Sequence, residues 1–352
     1  MGNLYIHKLN QENVNLQSLP ILNLERFKDH HTRPEFLKEL QKIAKDIGFF
    51  YLVGHGISSE RIHEIQQITR EFFELDQVKK DQIAMINSPH FRGYSQPNAE
   101  NTRNVPDYRE QIDIGPELEA LPFNDEIPLW GRMQGPNQWP EDWSEFKDVT
   151  SAWLRDLRQV AIDLLHAFML ALGQKEDALD QLIIGSENEL LKLIHYPKVE
   201  KKYHQGVGAH KDSNILTLLL QDEIGGLQVL SGEQWIDIPF VKDAFIINIG
   251  EILELATNGY LVANVHRVFS PVQQDRYSVA YFISPNLFSG EVPILDLAPE
   301  FKKLAKGPAS DSHNPILRNA GQNSIKSRLR SHLDVTEKFY PEQYAELKRN
   351  IG

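Results

Sequence analysis

His210 and Asp212 stand one residue apart at the head of an apolar run, in GAHKDSNILTLLLQ (208–221). Successive side chains of a strand alternate faces, so an extended backbone would turn both the same way. Together they offer one ion an imidazole nitrogen and a carboxylate oxygen. His266, in NVHRVFSP, opens another strand-like segment further on and supplies a second imidazole. Two His and one carboxylate on one side of a metal leave the other positions open, the donor set of non-haem iron(II) oxygenase sites. The alternative is a polar turn leading into an ordinary strand, because His-x-Asp is a short pattern. A second copy, His332-Leu333-Asp334, lies in a helical stretch, where residues two apart do not face each other. His30-His31 reads as a solvated turn.

Ten positions after His266 comes Arg276-Tyr277-Ser278, at the head of RYSVAYFISP. The same alternation puts the Arg276 guanidinium and the Ser278 hydroxyl on one strand face. A fork of N–H donors beside a hydroxyl is a receptor for a carboxylate. A metal-chelating oxo-acid with a distal carboxylate would fit both constellations. An arginine at a strand start paired with a surface acid is the plainer reading of Arg276.

The elements that must position these groups fall into three parts. EFLKELQKIAKDI (35–47) has helical periodicity, with Phe36, Leu37, Leu40, Ile43, Ala44 and Ile47 on one face. GFFYLVGHGI (48–57) reads as a buried strand, and 59–75 returns to helix on Ile62, Ile65, Ile68, Phe72 and Phe73. Residues 87–145 are rich in Pro, Gly and Asn and read as loops and short strands, partly over a binding site. The strongest helix spans 147–173, with Gly173 as its C-terminal cap. From 189 onward, short Leu/Ile/Val runs separated by turn signals suggest a sandwich or barrel. A helical tail, 325–350, breaks near Pro341. We expect one catalytic unit: an N-terminal region over 1–185, a β core over 186–300 and a helical tail over 301–352.

Composition narrows the function classes. The 352 residues are 41% hydrophobic and 24% charged, as in ordinary globular proteins. A formal net charge of -12 argues against nucleic acid and anionic membranes as partners. With no cysteine, thiolate metal sites, disulfides and cysteine nucleophiles are excluded. MGNLYIHKLNQEN lacks an apolar signal core, and Ile6 stands where N-myristoylation wants Ser or Thr. These features predict a cytoplasmic protein, a monomer or weak oligomer, acting on a small molecule.

Taken as an ordered set, the blocks resemble the isopenicillin N synthase-like family of Fe(II)/2-oxoglutarate-dependent dioxygenases. GFFYLVGHGI, FRGY (91–94), Asp107-Tyr108-Arg109-Glu110 and HYP (195–197) carry the first half of the likeness. AHKDSNILTLLLQDEIGGLQVL, WIDIP, NIGEILELATNGYL, NVHRV and RYSVAYF carry the rest. The resemblance implies a mainly β fold, a double-stranded β-helix (jelly roll) with flanking helices. It implies Fe(II) on His210, Asp212 and His266, with O2 as the oxidant. It implies 2-oxoglutarate held at its far carboxylate by Arg276 and Ser278, with Tyr196 assisting. Many relatives carry Asn two positions before that tyrosine; here Ile194 stands there.

For substrate contacts we expect Arg92 and Tyr94 in the loop-rich region and Phe282 at an even offset from Arg276. Tyr108 and Arg109 read as structural, and His195 as core or surface. Asn248, Gly250, Asn258 and Gly259 read as turn or bulge positions. The leading expectation is oxidation of a substrate C–H bond (hydroxylation, desaturation or cyclisation) with release of succinate and CO2. The alternatives are an Fe(II) oxidase of the same fold that uses no 2-oxoglutarate, and a catalytically silent jelly-roll binding protein. A zinc hydrolase would leave the Arg-x-Ser pair unexplained.

Overall fold

The computed structural model describes residues 19–185, 188–200, 204–309 and 314–351. The stretch MGNLYIHKLNQEN lies outside the described residues. In chain order, β1 (Ile21–Asn23), α1 (Glu25–Lys28), α2 (Arg33–Asp46), β2 (Phe49–Val53), α3 (Ser59–Phe73) and α4 (Gln77–Gln82) come first. β3 (Gly93–Ser95), β4 (Asn101–Thr102), β5 (Val105–Pro106), β6 (Glu110–Ile114) and α5 (Ser144–Ala171) follow. The β-rich part is β7 (Asn188–Tyr196), β8 (Gln205–His210), β9 (Leu216–Gln221), β10 (Leu227–Ser231), β11 (Gln234–Asp237), β12 (Phe245–Ile249), α6 (Glu251–Ala256), β13 (His266–Phe269) and β14 (Arg276–Ser284). Then come α7 (Pro299–Lys302), α8 (Ala320–Ser331), α9 (Leu333–Phe339) and α10 (Pro341–Ile351).

Eight strands form one sheet in the order β1-β2-β12-β9-β14-β7-β6-β3, and four form a second in the order β11-β10-β13-β8. Side chains of both sheets share one buried cluster. Phe49, Tyr51, Ile194, Tyr196, Ile246 and Ala280 come from the large sheet; Val207, Leu227, Val229 and Val268 come from the small one. The sheets therefore face each other as a jelly roll, as the resemblance implied. The other face of the large sheet packs against α2, α3 and α5. There Leu191, Leu193, Leu218, Ile247 and Tyr281 meet Phe36, Leu40, Ile65, Phe72, Trp153 and Phe168. A strand buried on both faces has no polar alternation to show, hence near-continuous apolar runs such as LTLLLQ.

The chemistry of each helix end matches its position. Ser58 caps α3 by accepting from the Arg61 N–H. Gly173 follows α5 with φ of 70°, a left-handed backbone that glycine adopts without penalty. α5 starts at Ser144 and the tail's helix at Ala320, each a few residues before its periodicity begins.

The division at residue 185 does not divide the sheet. β1, β2, β3 and β6 all belong to the eight-stranded sheet, and β6 pairs along β7 from Glu110↔His195 to Ile114↔Leu191. β6 is one of the short strands expected within 87–145, though EQIDI has too few apolar residues to mark its place. It holds its place by backbone pairing on both edges, to β7 and β3. Among the described residues no helix is long and apolar enough to cross a membrane.

Candidate active site

His210 is the last residue of β8 and His266 the first of β13, and the ladder makes them direct partners. Their rings lie 4.3 Å apart. Asp212 is not on the strand: β8 has ended, and the carboxylate comes from the turn beyond it. Strand alternation therefore does not explain why Asp212 faces His210. The turn does, and it is pinned from several sides. The Asp212 carbonyl accepts from the Glu251 N–H, and the Asn214 carbonyl from the Ile252 N–H, at the start of α6. Asp212 Oδ1 then lies 3.3 Å from His210 Nε2 and 3.7 Å from His266 Nε2. The three ligand atoms lie within 4.8 Å of one another, close enough to share one ion.

Hydrogen bonds outside this triangle fix its orientation. His210 Nδ1 donates to the Gly208 carbonyl at 2.8 Å, which fixes the ring with Nε2 toward Asp212. Asp212 Oδ2 accepts from Thr217 Oγ1 at 2.5 Å and Asn248 Nδ2 at 2.9 Å, so Oδ1 is left for the ion. The reading of Asn248 as a turn position is corrected: it sits inside β12 and orients the carboxylate. The available signal was a polar residue inside each of two apolar strands, Thr217 in LTLLLQ and Asn248 in FIINI. Asn258 and Gly259, by contrast, do form a left-handed turn.

Electrostatics favour the ionised carboxylate. Burial alone would push the Asp212 carboxyl up. The His266 charge and the His210 hydrogen bond outweigh it and hold the group well below the usual carboxylate range. Burial, then the neighbouring His210 charge, push His266 down to about 4. Burial also lowers His210, but contact with Asp212 carries it above its ordinary value.

Arg276 is fully buried, opposite Tyr196 in the β14–β7 ladder, with its guanidinium over the tyrosine ring at 4.6 Å. Nη1 donates to Ser278 Oγ at 3.3 Å, while Nε and Nη2 find no partner. A buried guanidinium with two free donors calls for an anion. The residues present therefore fit the far carboxylate of 2-oxoglutarate. Ile194 sits beside Ser278 across the ladder, an apolar wall of this pocket. Phe282 shares the inward face with Arg276, Ser278 and Ala280 and packs on the inter-sheet cluster.

A further constellation escaped the sequence reading. Lys192 is an inward residue of β7, in register with Asp113 of β6 on one side and Ala280 of β14 on the other. Its ammonium lies 2.9 Å from Glu100 Oε1 and 3.7 Å from Asp113. Glu100 also pairs with Arg109 at 2.6 Å, and Asp113 with Arg328 of α8 at 2.8 Å. Arg109 lies close enough to His266 to lower it further, and Tyr196 is among the groups that raise Arg109. A ladder of alternating charge thus crosses the interior from beside the His210–Asp212–His266 cluster to the helical tail. Asp107 ties it to β8 by accepting from the Gly208 N–H.

Tyr94 is not part of this interior. Gly93 is in register with Asp113, so Tyr94 faces the other way, into the helix-side core. There its hydroxyl donates to Glu110 Oε2 at 2.5 Å, and Lys80 Nζ and His195 Nδ1 bind the same carboxylate. Tyr94 as a substrate contact is therefore corrected to a packing role, and His195 is a core residue. Arg92 is buried on the interior side of β6. His332 is buried while Asp334 is exposed, so that pair shares no site. His30 and His31 are exposed.

Two family profiles match the chain. The one described as non-haem dioxygenase in morphine synthesis, N-terminal, covers residues 19–142; the 2OG-Fe(II) oxygenase superfamily covers 187–285. A homoarginine-6-hydroxylase of Arabidopsis thaliana is 33% identical over 300 residues, 81% of this chain and 89% of its own length. The 2-oxoglutarate-dependent dioxygenase frbJ of a Dothideomycetidae species is 31% identical over 96% of each chain. Full-length Neurospora crassa T7H, solved in complex with alpha-KG, superposes with a TM-score of 0.73. It is 26% identical and covers 90% of this chain and 98% of its own. The chain belongs to the Fe(II)- and 2-oxoglutarate-dependent dioxygenases of the isopenicillin N synthase-like family, enzymes whose oxidant is O2.

Proposed function

We propose that this enzyme hydroxylates an unactivated C–H bond of a small molecule, with Fe(II) on His210, Asp212 and His266. Arg276 and Ser278 hold the far carboxylate of 2-oxoglutarate, and Tyr196 packs beneath the guanidinium. The observation that carries this reading is the pair of free, fully buried donors of Arg276 beside the three-ligand cluster. When bound, iron with 2-oxoglutarate and O2 supplies the oxidising power: one oxygen atom goes to the substrate, the other to succinate, and CO2 leaves.

The chain's own part is placement. Thr217 and Asn248 keep Asp212 Oδ1 turned to the ion, and the Gly208 carbonyl fixes the His210 tautomer. Phe282 and Ile194 close the pocket with apolar surface, which limits water around the reacting carbon. The relatives named as homoarginine-6-hydroxylases support hydroxylation over desaturation or cyclisation. Use of O2 without 2-oxoglutarate would leave the Arg276 donors without an anion.

Anaerobic titration of the Fe(II)-loaded protein with 2-oxoglutarate tests the reading. A saturable visible charge-transfer band is expected. Iron bound with no band on saturation would remove 2-oxoglutarate from this site.

A further inference from the structure

A second buried guanidinium, besides Arg276, makes no ion pair among the described residues. Arg92 is 6% exposed; Nη1 reaches only the His90 carbonyl, at 3.4 Å, and Nε has no partner. The acids near it are engaged elsewhere. Asp113 is held by Arg328 and by Gln111 Nε2. Glu117 accepts from Asn137 and Trp139. Burial, then repulsion from Arg328, push the guanidinium down to about 10, still charged at neutral pH.

The position of this charge connects it to the reaction chamber. A Cβ at Gly115 would lie 2.4–2.6 Å from the Arg92 guanidinium, so the glycine makes room for it. Gly115 lies one residue beyond β6, at even spacing from Gln111 and Asp113, whose face Lys192 shares on β7. Two more atoms near this cluster, Gln111 Oε1 and His332 Nε2, are buried without partners. Asp113 and Glu117 both bear on Arg92, but among the described residues neither forms an ion pair with it, whereas Arg109, Lys192 and Arg328 each pair with an acid. Burial keeps His332 neutral by pushing it down to about 4.

We infer that Arg92 anchors a carboxylate on the substrate, so that this enzyme oxidises small carboxylic acids, amino acids among them, at a carbon away from the carboxylate. The inference rests on the oxygenase reading above. This receptor is separate from the cosubstrate's: β6 lies two strands from β14, roughly 10 Å across the sheet. A carboxylate would supply the acceptor that the Arg92 donors lack and matches the planar edge of a guanidinium. A purely structural role is a poor account, since a buried guanidinium with no anion only destabilises the fold.

The test uses the intact enzyme, anaerobic, with Fe(II) and saturating 2-oxoglutarate filling the Arg276 site. Hexanoate, L-lysine and 3-phenylpropionate are each titrated against their own carboxamides by calorimetry. At least one acid is expected to bind about 30-fold tighter than its amide. Arg92→Gln is expected to shrink that preference to about threefold or less, and Arg92→Lys to restore part of it. The same carboxylate preference in Arg92→Gln would overturn the inference. So would the absence of any preference in the wild type, a result that needs no variant to fold. The chelate band in the same samples separates the two readings. A missing band removes the oxygenase reading; a band without acid preference removes only this one.

Discussion

His210 and His266 are direct cross-strand partners at the meeting ends of β8 and β13, and Asp212 closes the triangle from the turn between β8 and β9. The cluster thus joins two strand ends and a turn that α6 pins, so each ligand's position is set by a different backbone constraint. A carboxylate and two imidazoles held this closely repel or share protons when no cation is present, and a divalent ion relieves that.

This makes metal binding a stability measurement. Fe(II) or Mn(II) at about 100 times its dissociation constant should stabilise the wild type by about 2.7 kcal/mol. Asp212→Ala should remain folded, show no metal-dependent shift in Tm and lose iron-dependent turnover. A full metal shift in that variant would take Asp212 out of the ligand set.

Asn248 and Thr217 both bind Asp212 Oδ2, and neither is positioned to reach the ion directly. Asn248→Ala should weaken metal affinity by roughly 10- to 100-fold, the usual cost of releasing a ligand's outer partner. Competition with a metallochromic chelator reads this directly. Wild-type affinity would mean that the backbone turn alone orients the carboxylate.

Arg276 makes no ion pair among the described residues, so its removal separates binding from stability. Arg276→Met should weaken 2-oxoglutarate by about 2–5 kcal/mol while Tm stays level or rises. The chelate-band titration and a thermal melt suffice. An unchanged 2-oxoglutarate affinity would sink the clamp.

His332 gives a pH prediction. Burial pushes it down to about 4, and Arg328 and Lys192 add to this, while Glu100, at 4.0 Å, already serves Lys192 and Arg109. An unfolded histidine titrates near 6.5, so between these values the unfolded chain binds the extra proton and stability drops as the pH is lowered. The contribution is fully present above about pH 6.5, and roughly 3 kcal/mol of it is lost by about pH 4. Urea unfolding of the wild type at about pH 7.5 and about pH 4.5 should show a larger drop than in His332→Gln. Equal drops would mean that His332 is protonated in the folded state.

Residue type and spacing were enough to single out His210, Asp212, His266, Arg276 and Ser278. Period-two alternation placed Arg276, Ser278 and Phe282 on one inward face because β14 is a regular nine-residue strand. The apolar runs after residue 188 likewise read as strands, since both of their faces are buried. Other features were illegible for physical reasons. Asp212 faces His210 through a turn, whose shape depends on α6 more than on local sequence. Tyr94 points away from the site because β3 pairs with β6 in one register, and a one-residue slip would reverse it. The charge ladder joins Arg92, Glu100, Arg109, Asp113, Lys192 and Arg328, which share no motif and span more than half the chain. In the sequence each is an ordinary charged residue. Only the closing of β6 onto β7, with Arg328 of α8 reaching Asp113, brings them together in the interior.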